Sequence, residues 1–426
     1  MDAIGQVSSV DAGHHAPSLP SEIVVSILDY FRRDKITLFS CSLVAKSWVL
    51  LTRFHLFRVV TVRCGADLQG LGAFLDFLHT PWGSNISAYV RELRIRGPYA
   101  YALKPVRDPV IELETLGAVL DKLTRLDTLE LEALAWPGID PDTTAMPLTS
   151  ASVKTIILSR ICIPLFPTFD DIFDILHLVP HAKTFRGHGV EWRKPLLSSE
   201  PRKRFPADLQ LESIILKATA LPQQLVDLSQ SRLNLQSLTS LSVWHIRAED
   251  VEVLGRFLLS VSAHLRQLHM KLGDTYFVDE PGPLSPETTW PLLNLSECTA
   301  LESFWIFVPM DDDPELPGPA IDFVPHWESV EVIIDTLPAG VRNIRFGLEV
   351  LDKSFVKELL RDVQWDVVEG LVARLQELRS VLFLLEDRLE EFFVDQLPSS
   401  IQKLIKNRLP ATGRRQLLRF VPPPRV

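Results

Sequence analysis

One hydrophobic pattern recurs along most of the chain: apolar residues occupy the first, fourth and sixth positions of a six-residue window. The alternation at the end of each window predicts a β-strand with one buried face. Ten windows carry the pattern, the one at Ala182 and Phe185 more weakly than the others, and successive windows begin 27 to 40 residues apart. They begin at Val90, Leu126, Val153, Ala182, Leu211, Leu238, Leu265, Leu301, Val341 and Leu378.

Stretches that are apolar on one helical face lie between these predicted strands. Strands and helices that alternate at a near-constant spacing predict a parallel sheet with helices on its outer side. The predicted fold class is therefore α/β: an irregular repeat solenoid over residues 63–400, with parallel strands inside and helices outside. The helical stretches are Leu71–Leu78, Ile111–Leu123, Phe169–Leu178, Val251–Val261 and Val356–Leu378.

The strand pattern resembles that of leucine-rich repeats. The central spacings match the usual period of about 20–29 residues in that family, and the wider ones require insertions. The chain departs from the family where an asparagine is expected, three residues after the last apolar position: Leu134, Ile161 and Ile246 stand there in three repeats. The resemblance implies a degenerate array. The alternative is a generic α/β domain in which the pattern arises by chance among abundant leucines.

Residues 16–62 predict a module of two or three short helices after a disordered start at residues 1–15. Pro20 suits a first helical position, and apolar residues from Ile23 to Phe31 recur on one helical face. Asp34 can cap the next helix. So small a unit carries more apolar surface than it can bury alone, which predicts a partner or a neighbouring domain.

An ordered set of residues in this module resembles an F-box domain of the kind common in fungi. The set is Leu19-Pro20-Ser21-Glu22-Ile23, Ile27-Leu28, Leu38, Cys41-Ser42-Leu43-Val44, Ser47-Trp48 and His55-Leu56-Phe57. The resemblance implies that the module binds the adaptor subunit of a cullin-RING (SCF-type) ubiquitin ligase, and a cullin through it. The adaptor-binding residues that it implies are Leu19, Pro20, Ile23, Ile27, Leu28, Leu38, Leu43, Val44 and Trp48.

A second hypothesis makes the chain an interaction scaffold without a ligase role. Repeat arrays need a covering cap at their ends, and the N-terminal helices would then only cap the solenoid. Exposure of Ile23, Ile27 and Trp48 would favour docking of an adaptor, whereas packing of these residues on the first repeat would favour capping. Residues 401–426 are predicted to form a C-terminal tail.

Composition narrows the class of partner and the compartment. The net charge of −10 disfavours non-specific binding of nucleic acid or anionic membranes. No apolar run approaches the ~18–20 residues that span a bilayer, and Met1–Gly5 does not resemble the start of a secretory signal. Four scattered cysteines fit a reducing interior. We therefore expect a cytoplasmic or nuclear protein that binds neither membranes nor nucleic acid.

A search for catalytic groups gives no constellation. His177 and His181 have the spacing of two ligands on a helix, but Pro180 interrupts them and no general base follows. Cys41 falls in an apolar helical pattern, which predicts a core residue. The basic run Arg202–Arg204 predicts an exposed loop. We expect no enzymatic activity, no cofactor and no metal.

The strand pattern also predicts which residues face away from the core, because side chains alternate along a strand. In the middle and later strands these positions hold aromatic and cationic residues, which are typical of binding hot spots. We expect this concave face to bind a protein target, whose identity the sequence does not give. The alternative is that a loop or the C-terminal segment covers it. The predicted target-binding residues are Trp244, His269, Lys271, Trp305, Phe307 and Arg345.

Overall fold

The structure is a computed structural model that describes most of the chain. The described residues are 19–32, 34–65, 69–97, 111–134, 152–159, 175–176, 178–188, 209–217, 235–273, 285–309, 327–350, 360, 363, 365–387, 394–395, 399–410, 412 and 415–419.

The described part contains helices at the N-terminus and helices alternating with strands thereafter. The helices are α1 (Ser21–Tyr30), α2 (Lys35–Val44), α3 (Lys46–Phe57), α4 (Gln69–His79), α5 (Pro81–Ser87), α6 (Leu113–Lys122), α7 (Val251–Val261), α8 (Pro286–Thr289), α9 (Trp327–Asp335), α10 (Trp365–Arg374) and α11 (Ser399–Arg408). Short 3-10 helices cover Leu235–Ser237, Ala248–Asp250, Trp290–Leu293 and Leu295–Glu297.

The strands form one sheet. They are β1 (Val59–Arg63), β2 (Glu92–Arg96), β3 (Thr128–Glu132), β4 (Thr155–Ser159), β5 (Thr184–His188), β6 (Ser213–Lys217), β7 (Ser240–Ile246), β8 (Gln267–Leu272), β9 (Ser303–Pro309), β10 (Asn343–Val350), β11 (Ser380–Asp387), β12 (Val394–Asp395) and β13 (Leu418–Arg419). Strands β1 to β11 are parallel and follow one another in chain order. Both short strands pair with β11, β12 antiparallel and β13 parallel.

This arrangement confirms the predicted fold class, an α/β solenoid of parallel strands with helices between them. All ten predicted windows become strands β2 to β11, and their apolar positions are buried; in β2, for example, Leu93 and Ile95 are fully buried. Each such side chain contributes about 1.5–3 kcal/mol when it leaves water. An eleventh window, Phe57/Val60/Val62, forms β1. Its first residue, Phe57, is the last residue of α3, so the strand pattern overlaps the helical module.

A backbone ladder also joins the repeats just before each strand. The carbonyl of Arg91 accepts hydrogen bonds from the N–H groups of Asp127 and Thr128, at 2.8 and 2.9 Å. The carbonyl of Asp127 likewise accepts hydrogen bonds from two consecutive N–H groups of the next repeat. The same pair of bonds occurs at the start of every strand from β2 to β11. These bonds require no particular side chain, so the repeats keep their register although the asparagine position holds buried apolar residues such as Leu134 and Ile246.

Two predicted domain boundaries move. Residues 59–62, assigned to the helical module, lie in β1 and open the sheet. At the other end α11 packs Ile401 and Ile405 into the main core, and β13 joins β11. The described residues of α11 and β13, which were predicted to belong to a tail from residue 401, therefore pack on the array.

Candidate functional site

The helices α1–α3 have a small core of their own. Val24, Leu28 and Leu38 are buried at its centre and form a cluster separate from the main core. Partly buried side chains complete it; they are Phe31, Cys41, Trp48, Leu51 and Leu56. Leu28 and Leu38 were predicted to bind the adaptor. Both are fully buried here, so they hold the helices together and have no surface for a partner.

The other predicted adaptor-binding residues lie on or near the surface. Ile27 and Trp48 are partly buried, and Trp48 packs against the small core. The remaining five are exposed, and the exposed fraction of the four large apolar side chains runs from 49% to 74%; these residues are Leu19, Pro20, Ile23, Leu43 and Val44. Exposed large apolar groups gathered on one small module are unusual on the surface of a chain without partners.

Helix α2 adds two apolar residues that sequence reasoning left out. Ile36 and Phe39 are 83% and 61% exposed, and with Leu43 they repeat at i, i+3 and i+7 along one side of the helix. Leu38, on the other side, fills the core. The spacing was visible in the sequence, but α2 is apolar around most of its circumference. Periodicity alone therefore did not tell which side faces outward.

Asp34 fixes where α2 begins, as predicted. Its carboxylate accepts hydrogen bonds from the backbone N–H groups of Ile36 and Thr37, at 3.1 and 3.0 Å, and from the Thr37 hydroxyl at 2.6 Å. These bonds, first among them the one from the Thr37 hydroxyl, lower the pKa of Asp34. The cap sets the start of the helix that presents the apolar stripe.

A second candidate surface lies on the face of the sheet that points away from the core, here called the non-core face. Its first row of side chains is mostly hydroxyl-bearing or amide-bearing and runs from Thr128 on β3 to Ser380 on β11. At the far end the Ser380 hydroxyl donates to Asn343 Oδ1 at 2.7 Å, and Asn343 Nδ2 donates to Ser303 Oγ at 3.3 Å.

The strand register brings the six predicted target-binding residues together on this face. His269 pairs with Trp305, and Trp305 pairs with Arg345 on the next strand. The His269 and Trp305 rings stack at 4.1 Å between centroids, and the Arg345 guanidinium lies 3.8 Å from the Trp305 centroid on its ring face. We call the set Lys217, Trp244, His269, Lys271, Trp305, Phe307 and Arg345 the aromatic–cation cluster.

The second half of the cluster is built on Trp244. Its ring stacks with Phe307 at 6.0 Å, and the ammonium groups of Lys217 and Lys271 lie 3.6 and 4.9 Å from its centroid. The Trp244 indole N–H donates to the buried Ser242 hydroxyl at 2.9 Å. Cations over a tryptophan face are attracted by its quadrupole, so the lysines and the ring hold each other in place.

Two backbone features make room for the rings. The register of β7 shifts between Val243 and Ile246, a bulge in which His245 takes a φ of 59°. On β10, Gly347 leaves space for Phe307: a Cβ at that position would lie 2.0 Å from Phe307 Cδ1. Sequence reasoning had placed Trp244 and Phe307 on the face, but the ring contacts depend on both features.

The cluster has a distinct electrostatic character. Burial, and secondarily the charge of Arg345, lowers the pKa of His269 to about 4, so its imidazole is neutral near pH 7. Burial also lowers the pKa of Arg345, but from so high a value that the guanidinium stays charged. The positive charge of the cluster therefore comes from Lys217, Lys271 and Arg345.

The first strands of the same face carry charges of both signs that neutralise one another. Arg94 Nε lies 3.1 Å from a Glu130 oxygen, and Arg96 contacts Glu130 at 3.3 Å and Glu132 at 2.7 Å. Both glutamates are largely buried. The face thus changes from compensated charge on β2 and β3 to cations and aromatic rings on β6 to β10.

Three further residues belong to this face that the predicted target-binding set omitted. Lys217 completes the contacts of Trp244. On β5, Arg186 lies in the same cross-strand row as His269, and His188 lies in the same row as Trp244. Arg186 and His188 were missed because the window at Ala182 and Phe185 is the weak one. Once that window is taken as a strand, alternation places both residues on the non-core face.

The described residues contain no group of three or more His, Cys, Asp or Glu side chains arranged to hold a metal ion. His181 is exposed, while His177 and the basic run Arg202–Arg204 lie outside the described residues. Burial raises the pKa of the Cys298 thiol to about 11. None of the helices in the described part is both long enough and apolar enough to cross a membrane.

Comparison with known proteins gives no family to which this chain can be assigned. No protein-family model matches the sequence, and no curated protein is significantly similar to it. Functional inference therefore rests on the two surfaces: the exposed apolar residues of α1 and α2, and the aromatic–cation cluster.

Proposed function

We propose that this protein is the substrate-recognition subunit of an SCF-type ubiquitin ligase. The helical module α1–α3 docks on the adaptor subunit, which connects it to a cullin, and the repeat array holds a protein target. The chain supplies no ubiquitin chemistry of its own. Such a subunit works in the cytoplasm or the nucleus.

The observation that carries the proposal is the exposed apolar surface of the module. Leu19 and Ile23 at the start of α1, and the stripe Ile36, Phe39 and Leu43 on α2, face solvent while a separate small core holds the helices. A partner that buries such side chains gains about 1.5–3 kcal/mol for each. The F-box-like order of residues supports an SCF adaptor as that partner.

The capping hypothesis has less support. If the helices served only to close the end of the array, Ile23, Ile27 and Trp48 should pack on the first repeat. Of the three, Ile23 is exposed, as docking requires, Ile27 is partly buried, and Trp48 packs against the small core of the module and not on the first repeat. The module still leads directly into the sheet, because β1 follows α3 after one residue.

Co-purification with the adaptor tests the proposal. The tagged chain is co-expressed with a fungal SCF adaptor subunit, and the bound adaptor is quantified. We expect a stoichiometric complex with the wild type and a loss of at least ten-fold on replacing two exposed apolar side chains, Leu43→Ala with Val44→Ala. The double change Leu259→Ala with Leu292→Ala is the matched control, because these residues are also exposed but lie outside the module.

A wild-type chain that captures no adaptor would overturn the ligase proposal in favour of a scaffold. Equal loss in the test and control variants would show that the effect is not local to the module. Since Leu43 and Val44 are exposed, their replacement should leave thermal stability unchanged, which a melting curve checks.

A further inference from the structure

The distribution of charge on the non-core face differs from that of the chain as a whole. The protein carries a net charge of −10. Yet from β4 to Gly347 on β10, the side chains that the register places on this face include four cations and no carboxylate. The four cations are Arg186, Lys217, Lys271 and Arg345.

The two arginines lack a compensating charge within the described part of the chain. No described carboxylate forms an ion pair with Arg345, whose recorded contact is the face of Trp305. Arg186 Nε is buried and has no hydrogen-bond partner among the described residues. A buried guanidinium donor without an acceptor is costly, and an incoming carboxylate removes that cost.

We infer that the non-core face between β5 and β10 binds an acidic segment of the target protein through aspartate or glutamate side chains. This inference depends on the proposed function in one respect: the proposed function makes the bound partner a target of the ligase. The aromatic rings of the cluster provide apolar contact area between the cations, and the polar first row provides hydrogen-bonding groups along one border.

The spacing of the cations sets the expected distance between the acidic residues of the bound segment. Lys217 on β6 and Arg345 on β10 are four strands apart, which is about 19 Å at ~4.8 Å per strand. An extended peptide at ~3.3 Å per residue spans that distance with about six residues. We therefore expect two acidic residues about six positions apart, with apolar side chains between them.

Carboxylates fit the face better than phosphate groups. Phosphate recognition uses clusters of arginines around one site, whereas the two arginines here stand on β5 and β10. Each of these arginines can bind one carboxylate. A nucleic acid is less well suited, because the many phosphates outside the four-cation face would meet a protein that is acidic overall.

Peptide selection tests the inference on the full chain. Random dodecamer peptides are displayed on phage and selected against the immobilised protein. We expect enrichment of peptides with at least two Asp or Glu residues. A selected peptide should bind at least ten-fold more tightly than its Asn/Gln counterpart by calorimetry, and its affinity should fall as salt rises.

Charge-neutralising variants locate the binding. Arg345→Gln with Lys217→Gln should weaken the selected peptide at least ten-fold. Lys122→Gln with Arg256→Gln removes the same charge from exposed helix positions and should leave the affinity within two-fold. If the double variant does not fold, Lys217→Gln alone and the Asn/Gln peptide still give the answer.

Several results would overturn the inference. They are an absence of enriched peptides, enrichment of neutral or basic ones, equal binding to the Arg345/Lys217 and control variants, or binding confined to a phosphoserine peptide or a twelve-nucleotide single strand. The outcome is separable from that of the ligase proposal. Acidic peptides can bind a chain that captures no adaptor, and the adaptor can bind a chain that selects no acidic peptide.

Discussion

At the scale of single residues, His269 shows how contacts between neighbouring strands hold an aromatic ring in place on the non-core face. Its partly buried ring stacks with Trp305 on the neighbouring strand, and the positive charge of Arg345 is close by. An imidazolium would be unfavourable there on both grounds. The neutral ring instead stacks with Trp305, and the Arg345 guanidinium lies over the same Trp305 ring.

This neutral state predicts a pH dependence of stability. Between about pH 6.5 and pH 4 the unfolded chain binds a proton at His269 and the folded chain does not, so stability falls as the pH drops through this interval. From pH 7 to pH 5 the loss due to His269 is on the order of 2 kcal/mol. His269→Phe keeps the stacking and should remove that part of the loss in urea unfolding measured at both pH values.

The matched control for this prediction is His181→Phe, because His181 is exposed. That variant should retain the wild-type difference between pH 7 and pH 5. If His269→Phe also retains it, His269 is protonated in the folded protein and the assigned neutral state is wrong.

Gly347 gives a second prediction at this scale. Gly347→Ala places a methyl group within 2.0 Å of the Phe307 ring, so Phe307 must leave its stack with Trp244. We expect a loss of about 1–3 kcal/mol in the free energy of unfolding, as for other overpacked sites. Near-ultraviolet circular dichroism should change as well, because the tryptophan environment changes.

Gly187→Ala is the control for Gly347. Gly187 is also a strand glycine, but a Cβ there would meet the Leu216 side chain at 3.5 Å, an ordinary contact. It should be neutral or slightly stabilising. Equal effects of the two substitutions would indicate that strand glycines as such, and not the space under Phe307, set the stability.

At the scale of elements, the helices are positioned by contacts that cannot be predicted from the helix sequences alone. Helix α7 has a clear apolar face and was predicted with its observed bounds, Val251–Val261. Its approach to the 3-10 helix Trp290–Leu293 depends on Gly255: a Cβ there would lie 1.8 Å from the Leu292 carbonyl oxygen. A backbone atom cannot move aside as a side chain end can.

Gly255→Ala therefore sets two effects against each other. Alanine favours a helix over glycine by up to about 1 kcal/mol, whereas the displacement of α7 from Leu292 costs about 1–3 kcal/mol or more. We expect net destabilisation, measured as a lower midpoint in thermal unfolding. Gly370→Ala in α10, where a Cβ would meet nothing within 4 Å, should raise the midpoint instead. A rise in both variants would contradict the close contact.

The end of the array shows the same dependence on neighbours. Thr412 donates from its N–H and hydroxyl to the Glu369 carboxylate at 3.1 and 2.6 Å, and Arg415 donates to the Val372 carbonyl at 3.2 Å. These contacts tie the segment after α11 to α10. Residues 401–426 were predicted to form a tail, because nothing in the sequence of that segment indicates these partners.

At the scale of the whole molecule, the repeat pattern determined the architecture. Burial of alternate residues is a local requirement of a strand, so ten windows gave ten strands, and these strands pair with their neighbours in chain order. That order and register also determined which residues share the non-core face. Trp244, His269, Trp305 and Arg345 could therefore be named together from the sequence.

Only the tertiary structure decided which apolar residues of the N-terminal module are available to a partner. Leu28 and Leu38 fill its core, while Ile36 and Phe39 face solvent, and all four look alike in an apolar helical pattern. The difference arises from how α1–α3 are rotated about their axes when they pack, which is a property of the assembled helices. The stacking of the cluster likewise depends on the β7 bulge and on Gly347, two features of neighbouring strands that no strand encodes by itself.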